Sequence, residues 1–362
     1  MKVVVAPDKF AGTLSAAEAA GAIAQGWRTR RPDDVIVMVP MADGGAGTLD
    51  VVDTVVEGAA RIAVEVADAR GRARRASVLR LPDGRVLVEA AEACGLAWLD
   101  KDERDPRRAT SYGVGQLLRA AQAMDATQIV VGLGGSATSD GGAGMALALG
   151  SRLLRADGNG VKVGAEHLLD LARIEYRSPG LAPVVIAGDV TNPLLGPDGA
   201  VAVFAPQKGA SADDLPVLER ALARFADVVE RDVPGGPWRD RPGAGAAGGL
   251  GFALLAFCGA RVTSGAATVA SLVGLDDHLR DADVVIAGEG KLDDQTLAGK
   301  TPAFVAERAR AFDGRVLAVA GQVTGGGAAL FDDVAVLGSE GLRRPVELTV
   351  QRAAELADRV QG

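Results

Sequence analysis

Residues 129–144 read IVVGLGGSATSDGGAG. The first half is a branched apolar run of the length and composition of a buried strand. It then breaks into paired glycines interleaved with Ser136, Thr138, Ser139 and Asp140. A buried strand running into a glycine loop, with a helical pattern beyond it, is the repeating unit of a parallel sheet. Bare backbone next to hydroxyls and a carboxylate is also how a chain prepares a surface for an anion.

The same unit recurs on both sides. KVVVAPD (2–8) and DVIVMVP (34–40) flank an Ala-rich helical stretch, and Ser15 with Glu18 three residues later forms a capping-box signature at its start. PMADGGAGTLDVVDTVV (40–56) opens a second helix from a glycine loop. RIAVEVAD (61–68) and RRASVLRLPDGRVLVEAAE (74–92) alternate with period two around PDG, which predicts an antiparallel meander. SYGVGQLLRAAQAM (111–124) predicts a helix, SRLLRADGNG (151–160) a hairpin, and a further helix is expected from about residue 213 to 231. PVVIAGDVTNPLLG (183–196) and GAVAVFAPQKGA (199–210) read as strands ending in polar loops. RDVPGGPWRDRPGAGAAGG (231–249) reads as a hinge or lid connection. ADVVIAGEGKLDDQT (282–296), GRVLAVAGQ (314–322) and DVAVLGSE (333–340) return to β/α alternation.

The predicted fold class is α/β: a doubly wound, Rossmann-like parallel-sheet domain (1–60, 105–150 and 265–362) with a second, inserted α/β domain (61–104 and 151–264). The active site is expected in the interdomain cleft, where ligands of such sheets usually sit.

Composition narrows the chemistry. At 362 residues the chain can build a large core, carried by Ala, Val and Leu with 4% aromatics. Net charge is −8, and RGRARR (70–75) is too short a basic run to suggest nucleic acid. The N-terminal apolar run is too short for a signal, and the glycine-broken stretch 244–260 reads as a buried helix rather than a membrane span. Cys94, Cys258, His167 and His278 are isolated, so neither a disulfide framework nor a zinc site can be built; reduced cysteines in a cytoplasmic protein are expected.

Several strands end in the same kind of loop: Asp8-Lys9, Asp43-Gly44-Gly45, the loop from Gly132 to Gly144, Asp189 to Asn192, and Gly288-Glu289-Gly290-Lys291. Loops beyond the carboxyl ends of parallel strands line one crevice. Carboxylates gathered there need a cation between them, and with no nitrogen or sulfur set available Mg²⁺ is the natural candidate. Magnesium completes its shell with water and phosphate, so a phosphate is expected beside it. Gly134, Gly135, Ser136, Thr138, Asp140, Gly141 and Gly142, with Gly44, Gly45, Asp8, Lys9 and Asn192, are the candidate phosphate or substrate contacts. Lys9, Lys208, Lys291 and Lys300 are the candidate cations for a transferring phosphoryl group.

Two look-alikes compete. Gly132-x-Gly134-x-x-Ala137, with Asp157 about twenty residues on, matches a dinucleotide fingerprint, but Asp140-Gly141-Gly142 interrupts the required helix and its carboxylate has the wrong charge for pyrophosphate. AGKT (298–301) resembles the end of a P-loop, but Asp294 stands where its leading glycine should be.

APDKF-GTLSA, PMADGG-GT, GLGGSATSDGGAGM, GDVTNPLLGPDGA, FAPQKGA, PGAGAAGGLG and GEGKLDDQTLAGKTP occur in that order. Together they resemble the type I glycerate kinases, the bacterial glycerate 2-kinase family. The chain departs from that pattern at Ala11 (often Lys), Ala46 (often Glu) and Asp294 (often Gly). The resemblance implies ATP-dependent phosphorylation of D-glycerate with Mg²⁺ in the cytoplasm, usually to 2-phosphoglycerate, by a monomer or homodimer. On that reading Asp189 or Asp43 orients the acceptor hydroxyl. Glu289 and Asp293, with Asp189, hold Mg²⁺, while Lys208 and Lys291 neutralise the substrate carboxylate or the migrating phosphoryl. Phosphorylation at the 3-hydroxyl is the alternative. An NAD-type oxidoreductase and a non-enzymatic sugar-acid binder are the rivals.

Overall fold

The computed structural model describes residues 1–297 and 300–360. The chain divides into two compact units: Met1–Asp43 with Asp50–Glu57 and Gly265–Gly362, and Gly44–Leu49 with Gly58–Ser264. Among the described residues the strands are β1 (Lys2–Pro7), β2 (Val35–Met38), β3 (Ala60–Ala67), β4 (Ala73–Arg80), β5 (Arg85–Glu89), β6 (Gln128–Gly132), β7 (Arg152–Leu154), β8 (Arg173–Glu175), β9 (Val184–Ala187), β10 (Arg261–Thr263), β11 (Val284–Leu292), β12 (Arg315–Val323) and β13 (Asp333–Val336).

The first unit is built on the sheet β13-β12-β11-β1-β2, every pair parallel. Strands covered on both faces must be apolar throughout, and β1 is buried from Val3 to Pro7. The helix Ala16–Arg28 starts where the capping box predicts: the Ser15 hydroxyl accepts from the Glu18 N–H, and the Glu18 carboxylate accepts from the Ser15 N–H. Its inner face puts Ile23 and Trp27 into a core with Val3, Val5, Ile286 and Leu317. Each of these side chains contributes about 1.5–3 kcal/mol by burial. The chain leaves β1 towards β2 on one side, whereas β11, β12 and β13 step away on the other. The winding therefore reverses between β1 and β11, the point where open parallel sheets bind ligands beyond their carboxyl ends.

The second unit is built on the sheet β10-β9-β6-β5-β4-β3, with β7 and β8 as a separate antiparallel pair. β3, β4 and β5 form the predicted meander, turning through residues 82–84 with the Leu81 N–H on the Arg85 carbonyl. β5, β6, β9 and β10 are mutually parallel. The core gathers Val86, Val131, Leu117, Phe225 and Phe252, and Phe225 meets Phe252 edge-on.

Three expectations are corrected here. Residues 105–150 belong to the second unit, because β6 hydrogen-bonds to β5 and β9. Residues 200–204 form a helix, Ala200–Phe204, not a strand; five apolar residues carry no decisive period. Residues 231–249 do not connect the two units. They lie wholly within the second unit, with Trp238 buried, and Glu230 accepts from the N–H groups of Trp238 and Arg239. The stretch 244–260 holds the buried helix Ala246–Cys258, as expected, though Ala247, Gly248 and Gly249 are left-handed and kink its start. Cys94 and Cys258 are free thiols, both pushed up to about 12 by burial. Among the described residues no helix is long and apolar enough to cross a membrane.

Candidate functional site

In the first unit a pocket of about 440 Å³ opens at the carboxyl ends of β1 and β11. Its charged residues are Asp8, Lys9, Asp43, Glu289, Lys291, Asp293 and Lys300, so seven of the sequence candidates meet around one hollow. β1 and β11 run in register, Pro7 beside Gly288, which sets the next residues of each strand side by side. Asp8 is buried; its N–H donates to the Gly288 carbonyl and its carboxylate accepts from the Lys9 N–H. Burial raises the Asp8 carboxyl above the usual range and Asp43 adds to this, while Lys9 opposes it. Glu289 is pushed up to about 7, first by burial and then by Asp8, Asp293 and Asp43, against the pull of Lys300.

The cations stand among these carboxylates. Lys9 Nζ lies 3.6 Å from Asp43, and Lys291 Nζ lies 3.1 Å from Asp293. Lys300 occupies the N-cap of the helix Thr301–Arg310, an end that already carries positive potential. A cation there gains nothing from the helix, so its presence favours an anionic visitor. Ala298 and Gly299, the first half of the AGKT look-alike, lie outside the described residues.

What the pocket offers a metal is hard oxygen. Glu289 and Asp293 suit magnesium, which takes one or two carboxylates and fills its octahedron with water and phosphate. Asp189 belongs to the second unit, so it is not part of this pocket's own donor set. Among the described residues no three His, Cys, Asp or Glu side chains form a ready cage. Asp294, which departs from the family pattern, is turned away to accept from the Gly326 N–H and does not line the pocket.

The glycine loops belong to the second unit. In the 133–142 loop only Gly134 and Gly135 are exposed; Ser136 to Gly142 are buried. Asp140 is completely buried, and its carboxylate accepts from the Ser111 N–H and hydroxyl and from the N–H groups of Gly142 and Gly144, at 2.9–3.1 Å. These four bonds hold the loop from within. Gly142 has φ +81°, and an added Cβ would stand 2.3 Å from that of Ala253, so packing and backbone dictate it. The same holds for Gly44, with φ +80° and the Ala187 carbonyl 2.2 Å from its would-be Cβ. No helix follows β6 directly; the next one, Ala143–Ala148, begins beyond Gly142, and the dinucleotide reading loses its helix.

Lys208 is buried, with Nζ donating to the Thr138 carbonyl at 2.6 Å and the Ser136 hydroxyl at 3.3 Å. Burial pushes it down to about 8. It braces the inner side of the loop whose exposed tip is Gly134-Gly135. Asn192 ties its own turn, donating to the Asp198 carbonyl. Asp189 is exposed on the loop after β9. Glu89 has no motif of its own, yet it is buried at the end of β5 and accepts from the N–H groups of Gly47 and Leu49. A charge closing the run RVLVE is the signal that could have found it.

Comparison with known proteins agrees with the motif order. The sequence profile of the glycerate kinase family matches residues 3–357. The glycerate 2-kinase of Escherichia coli (strain K12) is 42% identical over 351 residues, 94% of this chain and 89% of that protein. The glycerate kinase of Bacillus subtilis (strain 168) is 42% identical over 332 residues, 90% and 86% of the two chains. A crystal structure of a chain proposed to be glycerate kinase 2 from Salmonella typhimurium LT2 superposes with a TM-score of 0.86 at 39% identity, covering 99% of this chain and 98% of that one.

Proposed function

The chain belongs to the glycerate kinase family, phosphotransferases with an alcohol group as acceptor, and from that premise we propose that it transfers the γ-phosphoryl of ATP to the 2-hydroxyl of D-glycerate. The name of its Escherichia coli relative, glycerate 2-kinase, supports the 2-position. The observation that carries the reading is the pocket at the β1/β11 reversal, where four carboxylates and three lysines line one hollow. Such a mixture suits a polyphosphate bound with a divalent cation and suits neither partner alone.

In the proposed step the glycerate hydroxyl oxygen attacks Pγ in line, and the bond from Pγ to the bridging oxygen breaks to release ADP. Asp189 orients the hydroxyl and accepts its proton; Asp43 is the alternative base. Mg²⁺, when bound, would neutralise phosphate charge, with Glu289 and Asp293 as its carboxylates. Lys291, Lys300 and Lys9 would carry the remaining positive charge to the phosphates. The Gly134-Gly135 tip would approach an oxyanion through its N–H groups, with Lys208 fixing the backbone beneath. Positioning and charge neutralisation supply more of the rate here than proton removal does. We place the reaction in the cytoplasm.

Release of ADP that requires D-glycerate, followed by phosphorus NMR of the product, tests the reading in one preparation. A 2-phosphoglycerate signal supports it, and a 3-phosphoglycerate signal moves the acceptor to the other hydroxyl. No glycerate-dependent ADP, together with thermal stabilisation by NAD rather than Mg-ATP, would replace the kinase with an oxidoreductase.

A further inference from the structure

The pocket of the first unit has two unlike ends. Beyond the carboxyl ends of β12 and β13 it is walled by Leu337, Gly338, Gly341 and Leu342, with the carboxamide of Gln322 among them. This end lies at the carboxyl edges of β12 and β13; Gln322 is the register partner of Lys291, one strand further from β1. Leu342 is 70% exposed, beyond what core packing asks of a leucine. Gly338 has φ +76° and open space where a side chain would stand, so bare backbone faces the hollow. Gln322 is exposed, and its carboxamide makes no hydrogen bond among the described residues. Of the two reactants, a three-carbon hydroxy acid has no apolar face to bury; a nucleotide has a flat aromatic one.

We propose that this apolar end holds the purine base of the nucleotide, with Leu342 and the Gly338 backbone against the ring and Gln322 on its polar edge. A carboxamide offers one donor and one acceptor side by side, which matches the N–H/ring-nitrogen pair that adenine presents. The ring then lies beyond β12 and β13 while the phosphates extend along the same sheet edge to Lys291 and Lys300. This inference rests on the phosphotransfer reading above and adds to it the residues that select the base.

Titration calorimetry with two Mg²⁺-bound probes, the non-hydrolysable analogue AMP-PNP and inorganic tripolyphosphate, separates base from phosphate. Leu342→Ala and Gln322→Ala remove exposed side chains, so neither is expected to disturb folding, and circular dichroism verifies this. Each variant is expected to weaken AMP-PNP by about three- to tenfold, the effect of losing stacking or a base-edge contact. Tripolyphosphate affinity should stay within about twofold of wild type, since the phosphate end is untouched. AMP-PNP affinity unchanged in both variants, or both probes weakened equally, overturns the base site. A wild-type protein that forms no ADP from ATP and D-glycerate overturns the parent reading instead, and that result is obtained before any variant is made.

Discussion

Glu289 experiences burial and three neighbouring carboxylates acting in one direction, with Lys300 acting in the other, and the balance holds its carboxyl near 7. Its folded pKa exceeds the ordinary value of 4.5, so between those two pH values the native state binds the extra proton. Stability from this group is then present at low pH and lost as pH rises towards 7. In chelator-treated protein, Glu289→Gln is expected to raise the melting temperature at pH 8 by a few degrees (~2–4 °C) and to make no difference near pH 4; an equal shift at both pH values would show that the carboxyl's charge is not the cause. Asp189, by contrast, is exposed on the loop after β9. On the proposed mechanism Asp189→Ala should lower kcat by about 10²-fold or more, and near-normal turnover would move the base to Asp43. Both carboxylates were legible as candidates because strand ends can be found from sequence and each parallel sheet sends its own to one edge. Their difference in burial was not legible, since it depends on neighbours hundreds of residues away.

At the scale of the element, the glycine loop after β6 owes its shape to a buried anchor. Asp140→Ala removes four hydrogen bonds to a carboxylate from the interior, and urea unfolding should show a loss of about 3 kcal/mol or more. Ser111→Ala, which deletes one of those donors and the acceptor of the Met145 N–H, should cost about 1–2 kcal/mol. If Asp140→Ala retained wild-type stability and lost only substrate binding, the anchoring role would be refuted. The sequence pattern identified the loop as special, but the burial of Ser136, Thr138, Ser139 and Asp140 was not legible in it. A glycine-rich motif looks alike whether its backbone meets a phosphate or a neighbouring helix. The capping box at Ser15, by contrast, was fully readable, because every group in it lies within four residues. Residues 200–204 went the other way: too few to show a period, they became helical.

On the scale of the whole molecule, six residues, Gly44–Leu49, leave the first unit's stretch of chain to complete the second. Thr48 and Leu49 are buried, and Glu89 waits for the N–H groups of Gly47 and Leu49. A fragment 44–264 should therefore unfold at a clearly higher urea concentration than 58–264, by the equivalent of about 3 kcal/mol, from one buried leucine and two hydrogen bonds to a charge. Equal midpoints would mean that the segment is dispensable. The division into units was legible only in outline. β6 has the composition of either sheet, and only hydrogen bonding to β5 and β9 decides which one it joins.

The order β13-β12-β11-β1-β2 also has a consequence for synthesis. β1 emerges well before its inner neighbour, which begins only at Val284. At ordinary elongation speeds the ribosome needs on the order of ten to fifty seconds to deliver that partner. Throughout this interval an apolar ribbon, Val3 to Ala6, has an open flank that any other nascent chain could occupy. Cells making this polypeptide in quantity would need holdase chaperones for its amino-terminal segment, and messages truncated before codon 284 would yield sticky, insoluble products.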